Sequence, residues 1–367
     1  MKTMKKHLAA MMAVCSVMPH VAEAQEQKAI MSTPKLSGCV IGQYQYVDKD
    51  DAENNSFNVR NVRVAIDGRI LDDFAYKVQA QITGTPTTMN DAPRIVDAFV
   101  EWQKHKEIKV KFGQFKRPFT FENPMHPIDQ GFINYAQGVL QLAGFTDRVG
   151  EHSSNGRDIG VQLQGDVLKM NNGRHLLHYQ IGVFNGQGIN TKDVDNQKDV
   201  IGGFWLMPIE GLRLGAFGWT GTYARKGSNG VKSLSRDRYA ISGEYAAHDW
   251  TIRSEYIHST GYAFANVYNE KADLSKDEVN TAKGNKADGF YVLVIAPVKE
   301  KKLHVKARYD LYRPTADWQQ SKSTYEVGVD YVFSRNLQVN LGGAWVNDRT
   351  LSKHDYCMLD TQISFRF

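Results

Sequence analysis

After residue 24 the sequence lacks any apolar run of the roughly 20 residues that a membrane-spanning helix needs, and its mean hydropathy is −0.45. Cysteine is scarce, with 3 in 367 residues, and only Cys39 and Cys357 follow residue 24. Two cysteines do not build a disulfide scaffold, and we expect both to be unpaired. The formal net charge of +5 is too small to indicate a nucleic-acid partner. These absences exclude a helical membrane protein, a disulfide-rich domain and a nucleic-acid-binding protein.

Enzyme signatures are absent as well. The sequence contains no H-E-x-x-H motif, no Walker loop and no G-x-S-x-G motif. His175 and His178 are three residues apart, but on a strand this spacing places them on opposite faces, where they are poor joint ligands for a metal ion. We therefore predict no catalytic site, no metal site and no cofactor.

The first residues have the pattern of a secretory signal. Lys2, Lys5 and Lys6 precede a short apolar stretch over 8–18, and Ala22-Glu23-Ala24 supplies an A-x-A cleavage site. The sequence therefore predicts a signal peptide over 1–24 and an exported chain over 25–367.

The last residues of the chain alternate between apolar and polar side chains without interruption. Leu359, Ile363 and Phe367 fall on one side of an extended segment, while Asp360 and Gln362 fall on the other. Chain ends usually fray unless something holds them, so this final strand favours a closed sheet in which the last strand pairs with the first. The same alternation recurs along the chain and predicts an all-β, antiparallel barrel of about sixteen strands. The predicted strands lie near 37–48, 57–70, 73–83, 94–103, 106–115, 157–166, 174–184, 198–207, 211–222, 236–246, 249–259, 287–297, 302–312, 323–333, 336–346 and 357–367.

The predicted connections alternate between tight turns and longer polar stretches. The tight turns lie near 71–72, 104–105, 208–209, 247–248, 299–300 and 334–335. The longer stretches are 49–56, 84–93, 116–156, 185–197, 223–235, 260–286, 313–322 and 347–356. Short periplasmic turns and long external loops produce this alternation in bacterial barrels. The pattern therefore predicts a transmembrane barrel in the outer membrane of a Gram-negative bacterium, surrounded by lipid and with both chain ends in the periplasm.

Charged side chains occupy the second face of many predicted strands. Over 303–311, for example, apolar residues alternate with His304, Lys306 and Arg308. Such charges would be very costly in a dry core, whereas a barrel of this size encloses a lumen wide enough for water. The sequence thus predicts a water-filled diffusion path for small solutes across the membrane.

The longest connection, about 116–156, differs from the other loops in composition. It contains KRPFTFENPMHP and then apolar residues such as Phe132, Val139 and Leu142. A loop of this length is usually functional or disordered, and this one is too apolar for disorder. We expect it to fold into the lumen as a constriction loop; an ordered cap over the mouth of the barrel is the alternative.

Three segments of the chain resemble a known family. GQFKRPFTFE (113–122), RDIGVQLQG (157–165) and YQIGVFNGQGIN (179–190) are similar to the phosphate-selective porin O and P family and occur in the family's order. The resemblance implies a sixteen-stranded outer-membrane channel of a kind that is often a homotrimer. It also implies a basic constriction that passes small anions such as phosphate or polyphosphate.

Rings of Arg and Lys select anions because a fixed positive field replaces part of the hydration that the ion loses. Strand alternation and position at the loop ends give the following candidates for the constriction: Lys116, Arg117, Arg148, Arg157, Lys109, Lys111, Arg63, Lys77, Lys306 and Arg308. The family motif places Lys116 and Arg117 at the entry of the loop, and we expect these two to lie nearest the permeating ion.

Acidic residues share the same strand faces and leave alternatives open. They are Asp67, Asp158, Glu255, Asp310, Glu326, Asp330 and Asp360. Because such charges could pair across strands, a general, non-selective porin is the first alternative. A barrel that displays loops such as 260–286 as an adhesin or receptor is the second. A hydrolase built around His152-Ser153-Ser154 would need an acid on the lipid-facing wall, and the alternation supplies none.

Overall fold

The protein is described by a computed structural model, which covers residues 31–50, 54–83, 93–146, 153–261 and 285–367. The predicted signal peptide lies outside these residues.

Sixteen antiparallel strands form one closed barrel in which every strand pairs with its neighbours in the chain. The strands are β1 (Lys35–Asp48), β2 (Asn54–Ile70), β3 (Phe74–Thr83), β4 (Arg94–Trp102), β5 (Lys109–Lys116), β6 (Arg157–Lys169), β7 (His175–Phe184), β8 (Asp199–Leu206), β9 (Leu212–Gly227), β10 (Gly230–Ala247), β11 (Trp250–Gly261), β12 (Lys286–Lys299), β13 (Leu303–Arg313), β14 (Lys322–Ser334), β15 (Leu337–Asp348) and β16 (Asp355–Arg366).

The barrel closes between its first and last strands, as the C-terminal alternation predicted. β1 and β16 pair in register from Cys39 opposite Arg366 to Asp48 opposite Cys357. The Gly38 N–H donates to the Phe367 carbonyl at 2.9 Å, and this bond continues the ladder to the end of the chain. Cys39 and Cys357 therefore lie at opposite ends of the strand pair, and both are free thiols, as predicted.

The two faces of the sheet differ as the sequence indicated. Large apolar side chains such as Phe112, Val327 and Ile363 project from the outer face and are at least half exposed in the isolated chain. Their inward neighbours, among them Asp360 and Gln362, are buried. An apolar belt around a barrel is the surface that lipid covers. Among the described helices, none has the length and apolar character that crossing a membrane requires.

One predicted connection is wrong. The stretch 223–235 was expected to be a long loop, but β9 and β10 continue through it and meet in a tight turn at Ser228 and Asn229. Gly230 has a φ of 115°, a backbone conformation that favours glycine. The Asn-Gly pair is a strong hairpin signal, and it outweighs the polar composition on which the loop prediction depended. This hairpin extends beyond the neighbouring strands on the side of the long loops.

The described part of the long connection after β5, over 117–146 and 153–156, lies inside the barrel rather than over its mouth. Its side chains Phe119, Phe121, Val139 and Leu142 are almost fully buried and form one apolar cluster with inward residues of the wall. Helix α1 (Gln137–Leu142) packs against β11, β12 and β13. A Cβ on Gly138 would lie only 3.1 Å from the Gly289 Cα, so the absence of side chains lets helix and strand approach closely.

Candidate functional site

Charged side chains of the wall hold the loop across the lumen. Several wall cations donate to loop carbonyls, among them Arg253 to Gln130 at 3.1 Å, Lys306 to Gly131 at 2.7 Å and Arg308 to Asn134 at 2.9 Å. Wall carboxylates accept from loop N–H groups in the same way. Glu255 accepts from Phe121 and Glu122, at 2.7 and 2.9 Å, and Asp310 accepts from Gln137 at 2.8 Å. Because backbone groups need partners when buried, these residues satisfy the loop and fix its position.

The fixed loop separates two cavities. The larger, of about 510 Å³, lies against β10 to β16 and contains the carboxylates of Asp129, Asp249 and Asp330 beside His304. The smaller, of about 280 Å³, lies against β2 to β7 on the other side of the loop. Its charged lining is almost entirely positive. The cations are Arg63, Lys77, Lys111, Lys116, Arg117 and Arg157, and Asp97 is the one acidic residue among the described residues that line it. We call this the cationic cavity.

Three of the cations in the cationic cavity are neutralised by the wall. Arg117 donates to Asp158 at 2.8 Å, with both side chains buried. Arg157 makes a two-pronged contact with Asp97, at 2.7 and 3.0 Å. Lys111 lies 3.5 Å from Glu101. These pairs supply little net field to a solute, because each charge already has its counter-ion.

The other three cations, Arg63, Lys77 and Lys116, form no ion pair within the described parts of the chain. Among the described groups, the Arg63 guanidinium donates to the neutral Gln81 amide alone, at 3.0 and 3.2 Å. The Lys116 ammonium lies 4.4 Å from the centroid of the Phe145 ring. An aromatic face attracts a cation without neutralising it. The cationic cavity therefore has an excess of positive charge, with Arg63 on β2, Lys77 on β3 and Lys116 at the end of β5.

The remaining candidates lie elsewhere. Lys109 is on the inner wall, 3.7 Å from Asp166. Lys306 and Arg308 are on the opposite wall, where they hold loop carbonyls and the acids Asp330 and Glu326. Arg148 lies outside the described residues. The sequence could not show that Lys306 and Arg308 contact the loop, because strand alternation predicts which face a side chain occupies but not what it meets across the lumen.

A histidine of the loop connects the cationic cavity with the first strand. The His126 Nδ1 accepts from the Ile128 N–H at 3.2 Å, and its Nε2 lies 3.6 Å from the Cys39 sulfur. Both contacts suit a neutral imidazole with its proton on Nε2. Burial, with the nearby Arg63 guanidinium, lowers the pKa of His126 to about 4. Sequence reasoning missed this residue because a single histidine in a loop has no motif.

Acid is therefore expected to weaken the folded barrel through His126. The unfolded chain protonates this histidine near pH 6.5, whereas the folded chain resists protonation down to about pH 4. The free energy of unfolding therefore has its full value above about pH 6.5. It falls by roughly 3 kcal/mol in total as the pH drops from there through about pH 4. Urea unfolding in detergent at pH 7 and pH 4 measures the loss. A His126→Asn variant, which keeps an acceptor for Ile128, should lose less stability on acidification; an equal loss would contradict the assignment.

Comparison with known proteins agrees with this architecture. Residues 38–197 match the model of the family described as phosphate-selective porin O and P. These residues belong to the porin O and P family. All three segments that suggested the family lie within the match, so the sequence prediction is confirmed. Together with the closed barrel, the family places the porin in the outer membrane of a Gram-negative bacterium. None of the curated proteins compared with the porin matches it.

Solved structures share the fold at low sequence identity. The anion-selective porin from Comamonas acidovorans is 12% identical, with a TM-score of 0.64 over 91% of this chain and 99% of that chain. The trimer form of in-vitro folded OmpT of Vibrio cholerae is 13% identical, with a TM-score of 0.58 over 91% and 99%. The outer-membrane channel DcaP of Acinetobacter baumannii is 12% identical, with a TM-score of 0.59 over 94% and 100%. At these identities the likeness shows the barrel fold alone.

The family and the fold are those of channels rather than enzymes. Within the described segments, no group of three His, Cys, Asp or Glu side chains is arranged to hold a metal ion. His178 contacts Asp166 at 2.8 Å and stacks on Trp205. His152, the residue considered for a hydrolase site, lies outside the described residues.

Proposed function

We propose that this porin is a passive diffusion channel for small anions, with inorganic phosphate and polyphosphate in the range of solutes, and that Arg63, Lys77 and Lys116 set its preference. The observation that carries the proposal is the cationic cavity, in which these three cations have no carboxylate partner among the described residues. A positive charge that is free of counter-ions and partly removed from water acts on a passing ion at low effective dielectric. The infolded loop forms one side of the cavity and brings the solute close to the wall.

Assembly as a homotrimer belongs to the same proposal. The support is the family match and the trimer form of OmpT, an outer membrane protein with the same fold. In a trimer, lipid-facing residues of each barrel would pack against its neighbours and leave the three lumens separate.

Salt-gradient reversal potentials in planar bilayers test the selectivity. We expect the triple variant Arg63→Gln, Lys77→Gln, Lys116→Gln to lower the permeability ratio of chloride to potassium by roughly tenfold or more. The reason is that one unit charge at about 8 Å contributes ~2 kcal/mol at an effective dielectric constant of about 20. Glutamine keeps much of the side-chain length and its polarity, so the change in charge is separated from a change in packing.

A matched control removes the same number of positive charges outside the cavity. Lys104, Lys301 and Lys353 are on turns or loops and are exposed. Their replacement by glutamine should leave the reversal potential nearly unchanged. If both triple variants behave like the parent protein, the cationic cavity does not set selectivity. If the parent protein conducts without any anion preference, the porin is a general one.

The larger cavity is the observation that supports the alternative of a general, non-selective porin. Its carboxylates Asp129, Asp249 and Asp330 would favour cations, and a current through it would dilute the anion preference. These acids have basic neighbours, since Asp129 pairs with Arg366 at 2.5 Å and Asp330 contacts His304 at 2.9 Å. The cationic cavity thus has the stronger uncompensated field, which favours the anion channel. A protein that inserts without conducting would instead support the adhesin or receptor alternative.

A further inference from the structure

Two glutamine side chains in the cationic cavity have unused hydrogen-bonding groups. Gln79 on β3 is only 6% exposed, yet its amide bonds to no described protein group. Gln180 on β7 lines the same cavity and is equally without a side-chain partner among the described residues. An amide offers two donors and an acceptor, and these groups are open to the cavity, where a solute can bond to them.

The neighbouring glutamines show a different arrangement. Gln162 donates to Gln164 at 2.6 Å, and Gln164 donates to Glu101 at 2.6 Å, so both amides donate within the wall, although the buried Gln162 carbonyl oxygen has no described partner. Gln81 on β3 is likewise bound, because it accepts from Arg63. Contacts within the wall therefore use at least part of each of these three amides, whereas the Gln79 and Gln180 side chains have no described partner. The two unbound amides face the solute space together with the unpaired cations.

A small inorganic anion would bond to only some of the polar groups that line the cationic cavity. Inorganic phosphate needs donors and positive charge, which Arg63, Lys77 and Lys116 supply. An amide carbonyl oxygen is an acceptor and bonds only to a solute that carries its own O–H or N–H donors. A solute with an anionic end and several hydroxyl groups would satisfy the cations and the amides together. The volume of about 280 Å³ suits one small molecule, near the lower end of the roughly 300–1,000 Å³ found for ligand sites.

We propose that the cationic cavity is a binding site for phosphorylated sugars: the phosphate contacts the unpaired cations, and the Gln79 and Gln180 amides bind the hydroxyl groups. This rests on the proposed anion channel and names a solute class for its cationic cavity. Lys77 and Gln79 are alternate residues on the inner face of β3, so one strand presents both a charge and an amide to the same solute.

Block of the chloride current by added solutes tests the site. The probes are glucose 6-phosphate, methyl phosphate and glucose, each added at pH 8 to single channels in a planar bilayer. Methyl phosphate is the charge-matched probe, because it is a phosphate monoester without hydroxyl groups. We expect glucose 6-phosphate to reach half-block at a concentration about tenfold lower than methyl phosphate, from the hydrogen bonds to two amides. Glucose, which lacks the charge, should block weakly.

Paired variants assign this difference to the two amides. Gln79→Met with Gln180→Met keeps two unbranched side chains but removes their hydrogen-bonding groups. The double variant should lose most of the preference for glucose 6-phosphate and keep its affinity for methyl phosphate. Gln45→Met with Gln362→Met is the matched control, because both glutamines face the interior away from the cationic cavity and their described bonds are to wall residues rather than to the loop. This control should keep the full preference.

The outcomes separate the two proposals. Equal half-block concentrations for glucose 6-phosphate and methyl phosphate in the parent protein would overturn the sugar-phosphate site. A preference that survives in the Gln79 and Gln180 double variant would overturn it as well. Neither result touches the anion channel, whose test is the reversal potential recorded in potassium chloride in the same membrane. If the parent protein shows no anion preference in that reversal potential, the proposed function is wrong, whether or not the added solutes block the current.

Discussion

Replacing Arg117 with methionine is expected to lower the free energy of unfolding by about 3–5 kcal/mol, because one partner of a buried ion pair is removed. Arg117 is 1% exposed and donates to Asp158, which is itself fully buried. The same guanidinium donates to the Gly144 carbonyl at 3.2 Å, near the end of the loop, and lies over the Trp219 ring. Urea unfolding in detergent micelles measures the loss.

A double-mutant cycle identifies the pair as the cause. Arg117→Met combined with Asp158→Asn should cost less than the sum of the single replacements by about 0.5–3 kcal/mol, as for other directly contacting residues. Methionine at Lys104, which pairs with Asp73 on an exposed turn, should have almost no effect. Additive losses in the cycle would show that Arg117 stabilises the loop without its contact to Asp158. A loss of anion preference with unchanged stability would return Arg117 to the solute-contacting role that its position in the family motif first suggested.

Replacing Glu255 with methionine is expected to release the loop from the wall. Glu255 accepts hydrogen bonds from the Phe121 and Glu122 N–H groups, from the Tyr291 hydroxyl at 2.7 Å and from the Ser242 hydroxyl. Without the carboxylate, two backbone donors lose their partner in a buried site, at a cost of about 1–3 kcal/mol each. The loop should then leave its position for part of the time. Single-channel recordings should show a larger and noisier conductance and a weaker anion preference.

The conservative variant Glu255→Gln is the control for this second result. Glutamine keeps one carbonyl acceptor in the same place, so its conductance should lie between those of the parent protein and the methionine variant. If both variants lose stability but keep the conductance of the parent protein, Glu255 does not position the loop. Conductance below that of the parent in the methionine variant would mean that the released loop closes the lumen.

The strand pattern made the barrel predictable. Each of the sixteen predicted strands overlaps an observed one, because alternation of apolar and polar residues is a local property that a closed sheet with lipid outside and water inside requires at every strand. The error at the β9–β10 connection has a local cause as well. Polar composition suggested a loop, although Asn229 and Gly230 are typical of a tight hairpin.

The cationic cavity was predictable in part. Alternation placed Arg63, Lys77 and Lys111 on the lumen side, and the ends of the long loop added Lys116, Arg117 and Arg157; the structure brings all six to one cavity. Which of them keep their charge available was not predictable. Arg117 meets Asp158 on β6 and Arg157 meets Asp97 on β4, whereas Arg63 meets the neutral Gln81 amide. The loop contacts of Lys306 and Arg308 were missed for the same reason, since the partners are about 174–175 residues apart in the chain.

By itself the sequence determined the number of strands, their inward and outward faces, the closure of β16 on β1 and the family of residues 38–197, because these depend on short-range alternation and local motifs. Only the tertiary structure decided the path of the loop, the separation of two cavities and the division of the lumen cations into neutralised and available charges. Those features depend on contacts across the barrel, where a charge meets whichever group the folded loop and the opposite wall present. Strand periodicity does not specify which group a charged side chain contacts across the lumen.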